Sequence, residues 1–187
     1  ESAQPPAVYD VPLATILPVE QPTPANKTQP SWAIHDDREH FETQAKSILI
    51  IEDDEPFAAI LYELAHEEGF QCLMASSADE GLALAAQYRP GAIVLDVGLP
   101  DQSGLSVLDR LKRDVRTRHI PVHVISASDY AATALSLGAV GYMLKPVKRE
   151  QLVDALHGLQ SKMTQQLRRI LLVEDDGVLR AQLKATL

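Results

Sequence analysis

The chain has 187 residues, with 17 Lys plus Arg against 26 Asp plus Glu, a formal net charge of −9. That length allows one full domain and part of a second. The acidic balance excludes a protein that coats nucleic acid, whose footprint would be basic, and no apolar run approaches the ~18 residues of a membrane span. The lone Cys72 excludes a disulfide framework or a zinc site built on cysteines and fits a reducing compartment. A hydrophobic fraction of 45% suits a globular core. With neither a start Met nor a signal peptide at Glu1, the sequence reads as an excerpt of a longer one.

Prolines mark the first boundary. Seven of the 12 fall in residues 1–30, and none of the 9 glycines precedes Gly69. A segment such as Gln4-Pro5-Pro6 through Gln21-Pro22-Thr23-Pro24 holds neither a helix nor a central strand and reads as an extended, semi-rigid linker. Val11 to Val19, interrupted by Pro12 and Pro18, reads either as linker or as a last strand of an upstream domain. Residues 31–46 are a polar lead-in of one or two helical turns. Residues 1–46 together form the linker and lead-in.

From Ser47 the pattern changes. Ile48-Leu49-Ile50-Ile51 is a continuous apolar run, and Phe57, Ile60, Leu61 and Leu64 then recur at helical spacing until Gly69. Further strands are expected at Cys72–Ala75, Ala92–Leu95, Val122–Ile125 and Val140–Leu144. Helices are expected at Ala78–Tyr88, around Leu105–Leu111, at Ala131–Leu137 and from Lys148. Strictly alternating β and α elements with continuous apolar strands predict a parallel sheet covered on both faces. The expected fold is α/β: a doubly wound, five-stranded, flavodoxin-like sheet in the order 2-1-3-4-5.

A partial repeat follows. Ser47-Ile48-Leu49-Ile50-Ile51-Glu52-Asp53-Asp54 recurs as Arg169-Ile170-Leu171-Leu172-Val173-Glu174-Asp175-Asp176. The expected organisation is a complete domain over 47–160, a helical linker over 161–168 and the start of a second, truncated domain over 169–187. Leu152, Leu156, Leu159, Met163, Leu167 and Ile170 alternate steps of four and three. The last helix therefore either runs straight into the second copy or ends in a polar loop, with Gly158 weakening the first option.

The polar residues fall where the strands end. Glu52, Asp53 and Asp54 follow the first strand, Asp96 the third, Ser126 the fourth and Lys145-Pro146 the fifth. In a parallel doubly wound sheet, ligands bind at the carboxyl ends of the strands. Clustered carboxylates repel, so one takes up a proton or a cation sits among them. All-oxygen ligands favour Mg²⁺, and such sites handle phosphates. The ammonium of Lys145 and the hydroxyl of Ser126 would stabilise the oxygens of a transferring phosphoryl group. Asp96, alone at a central strand end before the loop Val97–Gly104, is the candidate nucleophile.

Those residues carry a resemblance. Ile50-Ile51-Glu52-Asp53-Asp54, Val94-Leu95-Asp96-Val97-Gly98-Leu99-Pro100 with Gly104, Ser126-Ala127, Gly138-Ala139 and Gly141-Tyr142-Met143-Leu144-Lys145-Pro146 resemble the receiver domain of bacterial two-component response regulators. The resemblance implies that Asp96 is the phosphoacceptor. It implies that Asp53 binds Mg²⁺ directly, Glu52 directly or through water, with the Gly98 carbonyl completing the ligands. Ser126 and Tyr142 would be the switch pair and Lys145 the phosphate-binding lysine. Asp54 is expected to be a surface neighbour with little role.

Tandem receivers behind a proline-rich linker resemble the C-terminal part of a hybrid sensor histidine kinase. The expected function is phosphorelay signalling in the cytoplasm, with the phosphoryl group taken from a phosphohistidine domain and with no nucleic-acid or membrane contact by this fragment. Two other readings are a degenerate receiver that only binds protein and a haloacid-dehalogenase-like phosphatase. The latter needs a second Asp where this chain has Gly98. The sequence contains no glycine-rich nucleotide loop and no convincing phosphoacceptor histidine. Ser126 to Lys145 is about one turn short for the family, so a small fourth helix is expected.

Overall fold

The structure is a computed structural model that describes residues 36–42, 45–164, 176 and 182. Residues 1–35 and the second copy of the first-strand motif, apart from Asp176, lie outside the described residues. Five strands form one parallel sheet in the order β2-β1-β3-β4-β5. They are β1 (Ser47–Ile51), β2 (Gln71–Ala75), β3 (Ala92–Asp96), β4 (Val122–Ser126) and β5 (Gly141–Leu144). The helices are α1 (Glu55–Glu67), α2 (Ala78–Tyr88), α3 (Gly104–Arg113), α4 (Ala131–Ser136) and α5 (Arg149–Thr164). This is the doubly wound, flavodoxin-like fold anticipated above.

The unbroken apolar strands follow from helices on both faces. Successive side chains of a strand point to opposite faces. Leu49 and Ile51 of β1 pack with Ile93, Leu95, Val122 and Val124 against the layer of α2 and α3, where Leu84, Val107, Leu108 and Leu111 are buried. Ile48 and Ile50 point the other way, with Val94 and Ile125, onto Leu61 and Leu64 of α1 and Leu152, Leu156 and Leu159 of α5. Each large side chain removed from water contributes about 1.5–3 kcal/mol. Polar caps start the helices: Asp54 Oδ1 accepts from Phe57 N at 3.2 Å, Ser77 Oγ from Glu80 N at 3.3 Å, and Ser103 Oγ from Leu105 N at 3.3 Å.

α4 is short, as expected, with six residues. α5 continues through Gly158 to Thr164, and Met163 packs against the α1/α5 core. The lead-in does make one turn, a 3-10 turn over Asp37–His40. It also does something the sequence did not suggest: it covers the open edge of β2. Asp37 Oδ2 accepts from Cys72 N at 2.7 Å, Asp36 Oδ2 accepts from Met74 N at 3.0 Å, and the Arg38 guanidinium donates to Met74 O at 3.0 Å. An edge strand otherwise presents unpaired backbone groups to other chains.

Candidate functional site

The parallel register brings the ends of β1, β3, β4 and β5 to one rim. Leu95 lies beside Ile51, Asp96 beside Ile125, and Ser126 beside Leu144. Glu52 (1% exposed), Asp96 (4%) and Ser126 (2%) are buried there, whereas Asp53 is exposed. The backbone N–H of Lys145 donates to Ser126 O at 2.7 Å, fixing where the lysine leaves the sheet, and its bond to Pro146 is cis.

The ammonium of Lys145 bridges the carboxylates. Nζ lies 2.9 Å from both Oε1 and Oε2 of Glu52 and 2.9 Å from Asp96 Oδ1. The other oxygen of Asp96 accepts the backbone N–H of Gly98. The nucleophile candidate is thus held at both oxygens, by a cation and by its own loop. Gly104 opens α3 directly under that loop. A Cβ there would stand 2.0 Å from the Asp96 carbonyl oxygen, so only glycine permits the approach.

Burial pushes the Glu52 carboxyl up to about 7; the charge of Asp96 pushes the same way, and the hydrogen bond from Lys145 opposes it. For Lys145, burial lowers the ammonium, but its hydrogen bonds with Glu52 and Asp96 outweigh that and raise it. Glu52, Asp53 and Asp96 each offer an oxygen within 4.8 Å of the others. With all three ionised, one ammonium leaves a net charge of −2 in an oxygen cluster in which Glu52 and Asp96 are buried and Asp53 is exposed. That donor set fits a hard divalent cation such as Mg²⁺.

The structure thus brings Glu52, Asp53, Asp96 and Lys145 together, with Gly98 in the adjoining loop. Ser126 Oγ accepts from Ser128 N at 3.1 Å. Tyr142, on β5, reaches the same loop: its hydroxyl donates to Ser128 O and accepts from Tyr130 N at 3.0 Å. Asp54 is an exposed neighbour outside the cluster of three carboxylates, as expected, and it also has a structural role as the N-cap of α1.

Sequence reasoning missed Phe57, treated above as one more helical apolar residue. Lys145 Nζ lies over its ring, 4.5 Å from the centroid. The signal was its place in the first turn of the helix that follows the acidic run.

A doubly wound sheet in this order, with a buried acidic cluster and a lysine at its carboxyl rim, defines the class of CheY-like signalling domains. Residues 48–157 match the family model for the response regulator receiver domain, and the chain belongs to that family. It is 33% identical over 114 residues to the phosphate regulon transcriptional regulatory protein PhoB of Pseudomonas aeruginosa, covering 59% of this chain and 50% of that protein. It is 31% identical over 114 residues to the polar-differentiation response regulator DivK of Brucella anthropi, covering 59% of this chain and 93% of DivK. The chain thus spans half the length of PhoB and nearly all of DivK. Among solved structures, a sensor protein from Polaromonas sp. JS666 superimposes with a TM-score of 0.56 at 31% identity, over 62% of this chain and 97% of that one. A CheY-like receiver domain protein from Methanospirillum hungatei JF-1, at 24% identity and a TM-score of 0.59 over 65% of this chain and 99% of that one, shares the fold. Among the described residues, no helix is long and apolar enough to cross a membrane.

Proposed function

We propose that this domain accepts a phosphoryl group from a phosphohistidine onto Asp96, as one receiver of a cytoplasmic phosphorelay. The chain is a receiver of two-component signalling, and receivers take phosphoryl groups from histidine kinases or phosphotransfer proteins. The observation that carries the reading is Asp96 itself: buried at a strand end, with Oδ1 2.9 Å from the Lys145 ammonium and Oδ2 on the Gly98 amide.

In the transfer, the N–P bond of phosphohistidine breaks and the imidazole keeps the electron pair. A carboxylate oxygen of Asp96 forms the new O–P bond. Lys145 moves its contact from the carboxylates to the incoming phosphoryl oxygens, a displacement its flexible stem allows. Glu52, Asp53, Asp96 and the Gly98 carbonyl would hold Mg²⁺, which supplies charge neutralisation for those oxygens. Ser126 stands at the neighbouring strand end to hydrogen-bond the acyl phosphate. When its hydroxyl turns to the phosphoryl group, its bond to Ser128 N is given up. The same loop carries the bonds of Tyr142, so phosphorylation biases the loop and α4 between two arrangements.

Two observations support a hybrid sensor histidine kinase with tandem receivers as the parent: the second copy of the first-strand motif at 169–176 and the resemblance to a sensor protein.

The test is incubation with acetyl phosphate and Mg²⁺, followed by intact-mass measurement. One acid-stable, base-labile phosphoryl group is expected, and Asp96→Asn should abolish it. Equal labelling of the Asn variant would sink the assignment.

A further inference from the structure

A second group of metal-ligating side chains lies near the amino end of β2, away from the carboxyl rim. Asp37 comes from the 3-10 turn, His66 from the last turn of α1 and Cys72 from β2. One ligand atom of each lies within 4.8 Å of the other two. Asp37 Oδ2 is 3.0 Å from His66 Nε2 and 2.7 Å from Cys72 N. Bond lengths to zinc of about 2.0–2.2 Å put neighbouring N and O ligands about 3.4 Å apart at a tetrahedral ion. The Asp37–His66 pair already stands near that separation.

The ring of Tyr62 lies 4.4 Å from that of His66, and Arg38 is committed to Asp36 at 2.7 Å. Cys72 is wholly buried, but the side chains of Asp37 and His66 are 23% and 40% exposed, so an ion has a path from solvent.

We propose that Asp37, His66 and Cys72 form a site for a divalent transition-metal ion of the zinc class, which fastens residues 36–42 to the β2 edge. Carboxylate, imidazole and thiolate are all zinc ligands, and three of them leave a fourth position for water. On binding, the Cys72 S–H bond ionises, its proton goes to solvent and the thiolate pair is donated to the metal. His66 binds through neutral Nε2, with its proton on Nδ1. Asp37 lies outside the family match over 48–157, which contains His66 and Cys72, and the group shares no residue with the phosphoacceptor rim.

The test is titration of the full chain with Co²⁺ in excess Mg²⁺, which keeps cobalt off the acidic rim. A tetrahedral thiolate site gives intense visible bands and a near-ultraviolet sulfur-to-cobalt band, saturating at one equivalent and bleached by Zn²⁺. Cys72→Ser should abolish the sulfur band. His66→Ala and Asp37→Asn, both on partly exposed side chains, should each weaken binding by roughly tenfold or more. Zn²⁺ should also slow amide exchange at Cys72 and Met74. The proposal is overturned by weak octahedral bands that Mg²⁺ displaces, or by folded His66→Ala and Asp37→Asn variants that bind cobalt as the parent does.

Discussion

His123 should make this domain acid-sensitive. It sits on β4 beneath α5, and its ring lies so close to β5 that a Cβ on Gly141 would stand 2.4 Å from it. Its Nε2 is buried with no hydrogen-bond partner among the described residues. Burial lowers the imidazole from 6.5 to about 4. Asp154 and Lys162 of α5 line the same groove, one of each charge. Because the native pKa is depressed, the unfolded chain binds the extra proton first as pH falls below 6.5. Stability is unaffected above that value, is lost between 6.5 and about 4, and levels off below 4. At 1.36 kcal/mol per unit, the loss from this residue is about 2 kcal/mol at pH 5 and about 3 kcal/mol at pH 4. Carboxylates titrate over the same window, so the quantity to measure is a difference. His123→Leu keeps comparable apolar volume and does not titrate. Urea unfolding of both proteins at pH 7, 5 and 4 should show the variant gaining on the parent by those amounts. Parallel stability curves would mean that the native imidazole accepts its proton without cost, and the burial argument would fail.

The remaining predictions concern the rim. Asp54→Ala should cost about 1 kcal/mol in urea unfolding through loss of the α1 cap, yet leave acetyl-phosphate labelling intact. Asp53→Ala should do the reverse, abolishing Mg²⁺-dependent chemical shifts with little loss of stability; if Asp54→Ala does the greater harm to metal binding, the two roles are exchanged. Gly104→Ala should destabilise by about 2–3 kcal/mol or more, since its Cβ meets the backbone of the nucleophile loop, and a near-neutral melting temperature would contradict the close approach. Lys145→Ala leaves Glu52 and Asp96 buried without their cation, so it should lower stability by a few kcal/mol at pH 8 and much less at pH 5, where Glu52 is protonated. A pH-independent loss would show that packing of the lysine stem, and not charge, is what matters.

Much of this molecule was legible in one dimension because its order is repeated. Five continuous apolar runs alternating with helical spacing leave little but a covered parallel sheet, and the rule that ligands meet at carboxyl strand ends turned Glu52, Asp53, Asp96, Ser126 and Lys145 into one rim. Hydrophobic burial acts on each segment separately, so each segment displays it. What tertiary structure alone decided are relations between side chains of different segments, which no local pattern encodes. Asp53 and Asp54 are adjacent and chemically alike; where the backbone turns at the end of β1 sends one to the cluster and the other to cap α1. Phe57 reads as any apolar helical residue until Lys145, 88 positions on, places its ammonium over the ring. Asp36, Asp37 and Arg38 belong to what reads as a polar lead-in. In the fold they bond backbone groups of a strand edge, exposed only because β2 ends the sheet, and that edge exists only once the strands have taken their order.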